Sequence, residues 1–269
     1  MEIFSLPFIQ HAILAGLLAS IACGIIGSLV VVNRTVFLAG GIAHAAYGGV
    51  GLAFFFALPA LPCIMGFSLF TALIMAFITM RRRERMDTFI GVVWAVGMAL
   101  GIILIDLSPG YNVDLMSFLF GSILTVPGSD IGIMVAVDIV TVAAVCFFYK
   151  ELLAMSYDME FSRVRGVPVN MLHFLFLALV ALGVVMTIRV VGLILVMALF
   201  TIAPYLTERF SRSLAGMMAA SCMANIFFVF TGLWLSYRYN LTSGATIILV
   251  AAVFLMIFIL LERFVPKHS

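Results

Sequence analysis

The sequence predicts an all-α, polytopic membrane bundle of about eight or nine transmembrane helices, and three observations carry that prediction. Of 269 residues, 65% are hydrophobic and only 10% are charged. The charges gather in short breaks between apolar runs, and each run is about 20 residues long, the length a helix needs to cross about 30 Å of hydrocarbon. The runs are continuous, whereas a closed barrel would alternate polar and apolar residues. No polar stretch is long enough to enclose a water-soluble core, so residues 1–269 read as a single transmembrane domain.

In chain order, spans are expected at Ala12–Val32, Val36–Leu58, Ile64–Met80, Phe89–Leu107, Ile131–Tyr149, Met171–Ile188, Val190–Leu206, Leu214–Leu235 and Ser243–Leu261. The first has neither a basic leading segment nor a small-residue cleavage site, so it is expected to be a retained helix. Between the fourth and fifth spans, FLFGSILTV is too short to cross and is expected to form a re-entrant or surface helix. Asp106, Asp114 and Asp130 flank it and make that mouth acidic. The break at Ile188–Val191 is the slightest of all, since Arg189 alone interrupts the apolar run.

Basic residues set the orientation, because Lys and Arg in short loops are retained in the cytoplasm. With the N-terminus outside, Arg34, Arg81, Arg82, Arg83, Arg85, Lys150, Arg163, Arg165, Arg209, Arg212, Arg263 and Lys267 lie inside. Only Arg189 and Arg238 then fall outside, and the C-terminus is cytoplasmic. A net charge of +2 is explained by this asymmetry and implies no nucleic-acid partner. Cys23, Cys63, Cys146 and Cys222 are widely spaced, form no CxxC pair and read as small packing residues.

Two cytoplasmic loops carry more than a connector needs. In SYDMEFSRVRGVPV, Ser156 is placed to cap a short helix with Asp158 and Glu160 in its first turn, and Gly166 can end it. Composition alone also allows a plain amphipathic linker. In the second loop, Pro204 is expected to end the apolar run, with a short helix through Thr207, Glu208, Arg209, Phe210 and Arg212.

Inside the membrane, His44 stands mid-span, with Gly40, Gly48 and Gly51 at spacings that share its face and Tyr47 adding an oxygen nearby. It is either an interhelical histidine or a ligand on an ion path. Asp138 stands mid-way through the fifth span, where an unpaired charge costs about 2.5–3.5 kcal/mol. It is either a paired or protonated structural acid or a second path residue. Met197 offers a soft sulfur, although most of the 17 methionines are expected to pack. His11, His173 and His268 fall near membrane borders.

Several of these segments together resemble ABC-type metal-ion permeases, the importers of zinc, manganese and iron. YDMEFSRVRGVPV is similar to their FDPE, A and GV loop, and DLMSFLFGSILTV at Asp114–Val126 to their DL, YLFG, ILTV segment. VVGLILVMALFTIAPYLTERF, LTSGATIIL and GGIAHA resemble three further segments, in the family's order over most of the chain. The resemblance implies a fold related to siderophore and cobalamin permeases (type II ABC importers) and a homodimer in the cell (inner) membrane. It also implies a separate cytoplasmic ATPase, an extracytoplasmic metal-binding protein and alternating access. It assigns ATPase coupling to Tyr157, Asp158, Glu160 and Gly166, and to Pro204, Thr207, Glu208 and Arg209.

The family's GDALSHA matches at His44 but not at its acid, whose place Gly40 takes. A neutral imidazole without a carboxylate suits zinc slightly better than manganese. The divalent ion is then cargo, with no permanently bound cofactor, and His44 and Asp138 are the candidate path residues. No GxxxxGK[ST], HExxH or GxSxG is present in the chain, so ATP hydrolysis belongs to another polypeptide and an intramembrane enzyme finds no support. The alternative is an ion-gradient-driven secondary transporter that uses His44 and Asp138 as a relay without an ATPase.

Overall fold

The computed structural model describes residues 7–81, 85–108, 123 and 126–262. Within them the helices are α1 (Pro7–Val32), α2 (Val36–Ala45), α3 (Tyr47–Phe55), α4 (Ala60–Arg81), α5 (Met86–Asp106), α6 (Gly128–Phe147), α7 (Tyr149–Tyr157), α8 (Met159–Val164), α9 (Val169–Val191), α10 (Leu193–Glu208), α11 (Leu214–Tyr239) and α12 (Ser243–Glu262). The described residues contain no strand. Among the described residues eight segments are long and apolar enough to cross a membrane, with α2 and α3 together making one of them.

The seventh predicted span, Val190–Leu206, differs from the expectation. α9 runs through Val191, and the chain breaks instead at Gly192, whose φ of 79° and ψ of 170° are open only to glycine at little cost. The 16 residues of α10 rise about 24 Å, short of a full crossing. Gly183 of α9 lies against the Phe200 ring of α10, so the chain doubles back at Gly192.

Pro204 does not end its helix either. It sits inside α10, which continues to Glu208. Proline removes the hydrogen bond that the Phe200 carbonyl would accept, and α1 closes over that place. A Cβ on Gly27 would stand 2.7 Å from Phe200 O and 3.0 Å from the Pro204 ring, so only glycine allows the approach.

Helix α1 is central and packs on α6, α9, α10 and α11. Short polar links tie it in place: Cys23 Sγ lies 3.1 Å from Thr187 Oγ1, and Ser28 Oγ donates to Ser221 Oγ at 3.2 Å. A second group, α2 to α5, joins the first mainly through α4 against α9. The α2–α3 span is 78% buried in the bundle, whereas that of α5 is only 22% buried and turns most of its surface outward.

Three hydrogen bonds bring the basic ends onto one face. Asn33 Nδ2 donates to Ser156 Oγ at 2.9 Å, Thr79 Oγ1 and His173 Nε2 are 2.9 Å apart, and the Ala215 N–H donates to the Tyr149 hydroxyl at 3.1 Å. The ends of α1 and α4, the α7–α8 loop and the start of α11 therefore share one end of the bundle.

Candidate functional site

His44 lies in the last turn of α2, two residues before Ala46, the one residue between α2 and α3, whose N–H still reaches Ile42 O at 2.9 Å. The predicted span is thus kept as one crossing, with a local turn beside its histidine. Helix α3 packs very closely on its neighbours. A Cβ on Gly51 would stand 2.5 Å from Gly101 O and 2.7 Å from Gly101 Cα, and one on Gly48 would stand 2.5 Å from the Phe67 ring and 3.1 Å from Gly97 O. Backbone meets backbone along Gly97 and Gly101, a small-xxx-small stripe in α5 whose spacing is plain in GMALG. The turn puts Gly40 on α2 and Gly48 and Gly51 on α3, so the three glycines serve different contacts.

The His44 ring stacks flat on Trp94 of α5, with centroids 4.1 Å apart and planes 6° from parallel. Trp94 is itself held, since its indole N–H donates to Met98 Sδ at 3.0 Å and Phe37 leans on it at 6.2 Å. One face of the imidazole is therefore closed, and a ligand must approach in the ring plane. His44 Nδ1 is buried without a hydrogen-bond partner among the described residues. A buried polar atom left unpaired is costly, and a nitrogen lone pair in that position is a ready ligand. Gly40 faces Met197 of α10 while Gly41 faces Ile90 of α5 and Met75 of α4. At about 100° per residue, His44 points between those directions, into the seam between α5 and α10.

Asp138 occupies a different place. It is 6% exposed on α6, and neither carboxylate oxygen has a hydrogen-bond partner among the described residues. Thr141, one turn on, has an equally unpartnered hydroxyl. Helix α6 packs on α1 and α9 and makes no substantial contact with α2, so the fold does not bring Asp138 to His44. No group of three or more His, Cys, Asp or Glu side chains among the described residues is arranged to hold a metal.

At the basic end, Asp158, not Ser156, caps the short helix α8. Asp158 Oδ1 accepts the N–H groups of Glu160 and Phe161, both at 2.9 Å. Ser156 is still inside α7, where its hydroxyl donates to Leu152 O at 2.8 Å and accepts from Asn33. Gly166 ends α8 with φ 82°. Its N–H reaches Arg163 O and that of Val167 reaches Ser162 O, both at 3.1 Å, the double bond of a Schellman turn. Tyr157, Phe161 and Val164 are left exposed, Val164 at 87%, while Ser162 and Met155 face inward.

Thr207 and Glu208 form the last turn of α10, and Arg209 caps it, so the expected separate helix is a continuation of α10. Thr207 Oγ1 is 2.6 Å from Ser221 Oγ, locking that turn to α11. Glu208, Arg209, Phe210 and Arg212 are exposed, with Phe210 edge-on to Phe258.

Some predicted features lie outside the described residues: Asp114 with most of DLMSFLFGSILTV, Arg82, Arg83, Arg263, Lys267, His268 and the side chain of Arg189. Ile123 of that segment is buried and faces Gly16 of α1.

Helical content, span count and motif order agree with one family, and its model, the ABC 3 transport family, matches residues 5–262. The chain belongs to that family. An uncharacterised membrane protein of Synechocystis is 46% identical over 95% of this chain and 91% of its own length. The manganese transport system membrane protein MntC of Listeria monocytogenes is 31% identical over 97% and 92%. Among solved structures, PsaBC from Streptococcus pneumoniae, in complex with Fab, superposes with a TM-score of 0.84 at 30% identity, covering 94% of this chain and 91% of that one. The protein is therefore a membrane-spanning permease of the ABC metal-importer family and not itself the catalytic subunit.

Proposed function

We propose that this permease imports a divalent metal ion, with zinc favoured over manganese, as a homodimer served by a cytoplasmic ATPase and an extracytoplasmic metal-binding protein. The observation that carries the reading is His44, whose buried Nδ1 has no hydrogen-bond partner among the described residues and whose ring stacks on Trp94, in the most buried of the described spans. In this reading the basic end of the bundle is cytoplasmic. The ATPase takes the apolar surface formed by Tyr157 at the end of α7 and by Phe161 and Val164 of α8, with Phe210 and the charged turn of Glu208 and Arg209 beside it. Exposed aromatic and aliphatic side chains on a capped helix are what a groove on a partner requires.

A mechanical route links that face to the ion path. Helix α8 abuts the start of α9, whose His173 is bonded to Thr79 of α4. Thr79 Oγ1 also donates to Met75 O, and the Met75 side chain reaches Gly41, next to Gly40 on α2. Closure of the ATPases would displace α8 and pass through α9 and α4 to the helix that bears His44. Asp158 and Gly166 keep α8 stiff enough to transmit that motion.

The test is uptake of labelled zinc and manganese into proteoliposomes holding the permease and its ATPase, with and without ATP. ATP-dependent uptake that His44→Ala abolishes is the expected result. Uptake indifferent to ATP overturns the importer and favours a gradient-driven transporter. ATP-dependent uptake that survives the substitution removes His44 from the path.

A further inference from the structure

Position 40 is where the family resemblance places a carboxylate, and this chain has glycine there. The structure shows what fills the space. A Cβ built on Gly40 would stand 2.9 Å from Met197 Cε and 3.0 Å from Met197 Sδ, so the thioether of α10 lies where the first atoms of a side chain at position 40 would be. Gly40 and His44 are four apart on α2, and Cβ positions at that spacing are about 5–6 Å from one another. The Met197 sulfur therefore lies about one helical turn from the base of the His44 side chain, on the α10 side of α2. Both Met197 and His44 are only partly buried, so the seam between them is not sealed.

We propose that Met197 Sδ is the specificity-determining second donor of the ion path, acting with His44 in place of an acid. The inference rests on the His44 reading above. Its chemical content is a class of cargo. Imidazole and thioether are neutral, and the thioether is soft. The pair favours late, thiophilic ions such as zinc and gives manganese, which seeks carboxylate oxygen, little in return. Two neutral ligands also hold a dication weakly, as a site that must release its ion requires. Gly40 is part of the device, since any side chain there would displace the sulfur.

The experiment is competitive uptake of zinc and manganese in the ATP-driven proteoliposome system. Three variants are compared: Met197→Leu, which keeps the volume and removes the sulfur; Gly40→Asp with Met197→Ala, which supplies an oxygen ligand and the room for it; and His44→Ala. Melting of each variant in detergent verifies its fold. Met197→Leu is expected to lower the zinc-to-manganese uptake ratio about tenfold, the size seen when a metal site loses a supporting contact, and the double variant is expected to move it further toward manganese. An unchanged ratio in both, with His44→Ala inactive, overturns the thioether donor and leaves the His44 path standing. Wild-type uptake by His44→Ala overturns the path and the donor pair together. If Met197→Leu fails to fold, Met197→Ala alone decides, since it removes the sulfur and supplies no oxygen: a ratio shifted toward manganese upholds the proposal, and a wild-type ratio overturns it.

Discussion

His44 and Asp138 are both polar groups set mid-way through apolar spans, and their surroundings differ in every respect that matters for passage of an ion. His44 sits beside the turn between α2 and α3 and is only partly buried, with one ring face held by Trp94 and a buried Nδ1 that no donor or acceptor among the described residues reaches. Asp138 sits on an unbroken helix, almost fully buried, with two oxygens that no donor reaches among the described residues. The difference teaches that burial in the membrane does not by itself mark a path. A path residue needs an accessible approach and a positioned donor. An almost fully buried carboxyl lacks the first, and a charge there would be uncompensated. On the proposed reading the ion meets His44, and Asp138 is the residue whose part in transport the variants below decide.

The largest effect should come from filling the close packing of α3 on α5, next to His44. Gly51→Ala sets a methyl 2.5 Å from a backbone oxygen of α5, and neither helix backbone can yield locally. Overpacking of this kind costs about 1–3 kcal/mol, sometimes more. A lowered melting temperature in detergent, with loss of uptake, is expected. Gly132→Ala on α6, the Asp138 helix, meets nothing within 4 Å and should melt as wild type. Equal melting of the two variants would remove the distinction between a tightly fitted region and a loosely fitted one.

Next in size is the contrast between the two polar residues themselves. Asp138→Asn keeps the side-chain volume and removes the acid. Uptake near the wild-type level is expected, with stability unchanged or raised, because the amide leaves no charge to compensate. Abolished uptake would return Asp138 to the path and revive a proton-coupled mechanism.

The sequence made one side of this contrast far easier to see than the other. Apolar runs of bilayer length located the spans, and the spacing of charges located the basic face, because hydrocarbon imposes both constraints on every segment separately. The environment of His44 is non-local. Trp94 lies fifty residues away and Met197 more than a hundred beyond that, so only the packing of α2 between α5 and α10 reveals them. Two local signals misled. Arg189 looked like a helix end, but Gly192 supplies the positive φ at which the chain turns. Pro204 looked like a stop, yet an interior proline is tolerated where Gly27 lets α1 cover the exposed carbonyl. The stripe Gly97 and Gly101 was legible in its spacing and is the signal that would have tied α3 to α5.

The smallest effect sharpens the comparison from the other end of the molecule. α8 is only six residues long and depends on its caps more than on internal hydrogen bonds. Asp158→Ala removes the acceptor for two N–H groups, a loss of about 1 kcal/mol. Gly166→Ala forces a Cβ into positive φ at about 1 kcal/mol, although nothing stands within 4 Å of it. Neither residue touches the bundle around His44, so melting of the whole protein should hardly change in either variant. What should fall is the stimulation of the ATPase by the permease and the uptake per ATP hydrolysed, with the zinc-to-manganese ratio unmoved. A change in that ratio would mean that α8 shapes the ion path directly. An unchanged coupling ratio in both variants would mean that a preformed α8 is not what the ATPase grips.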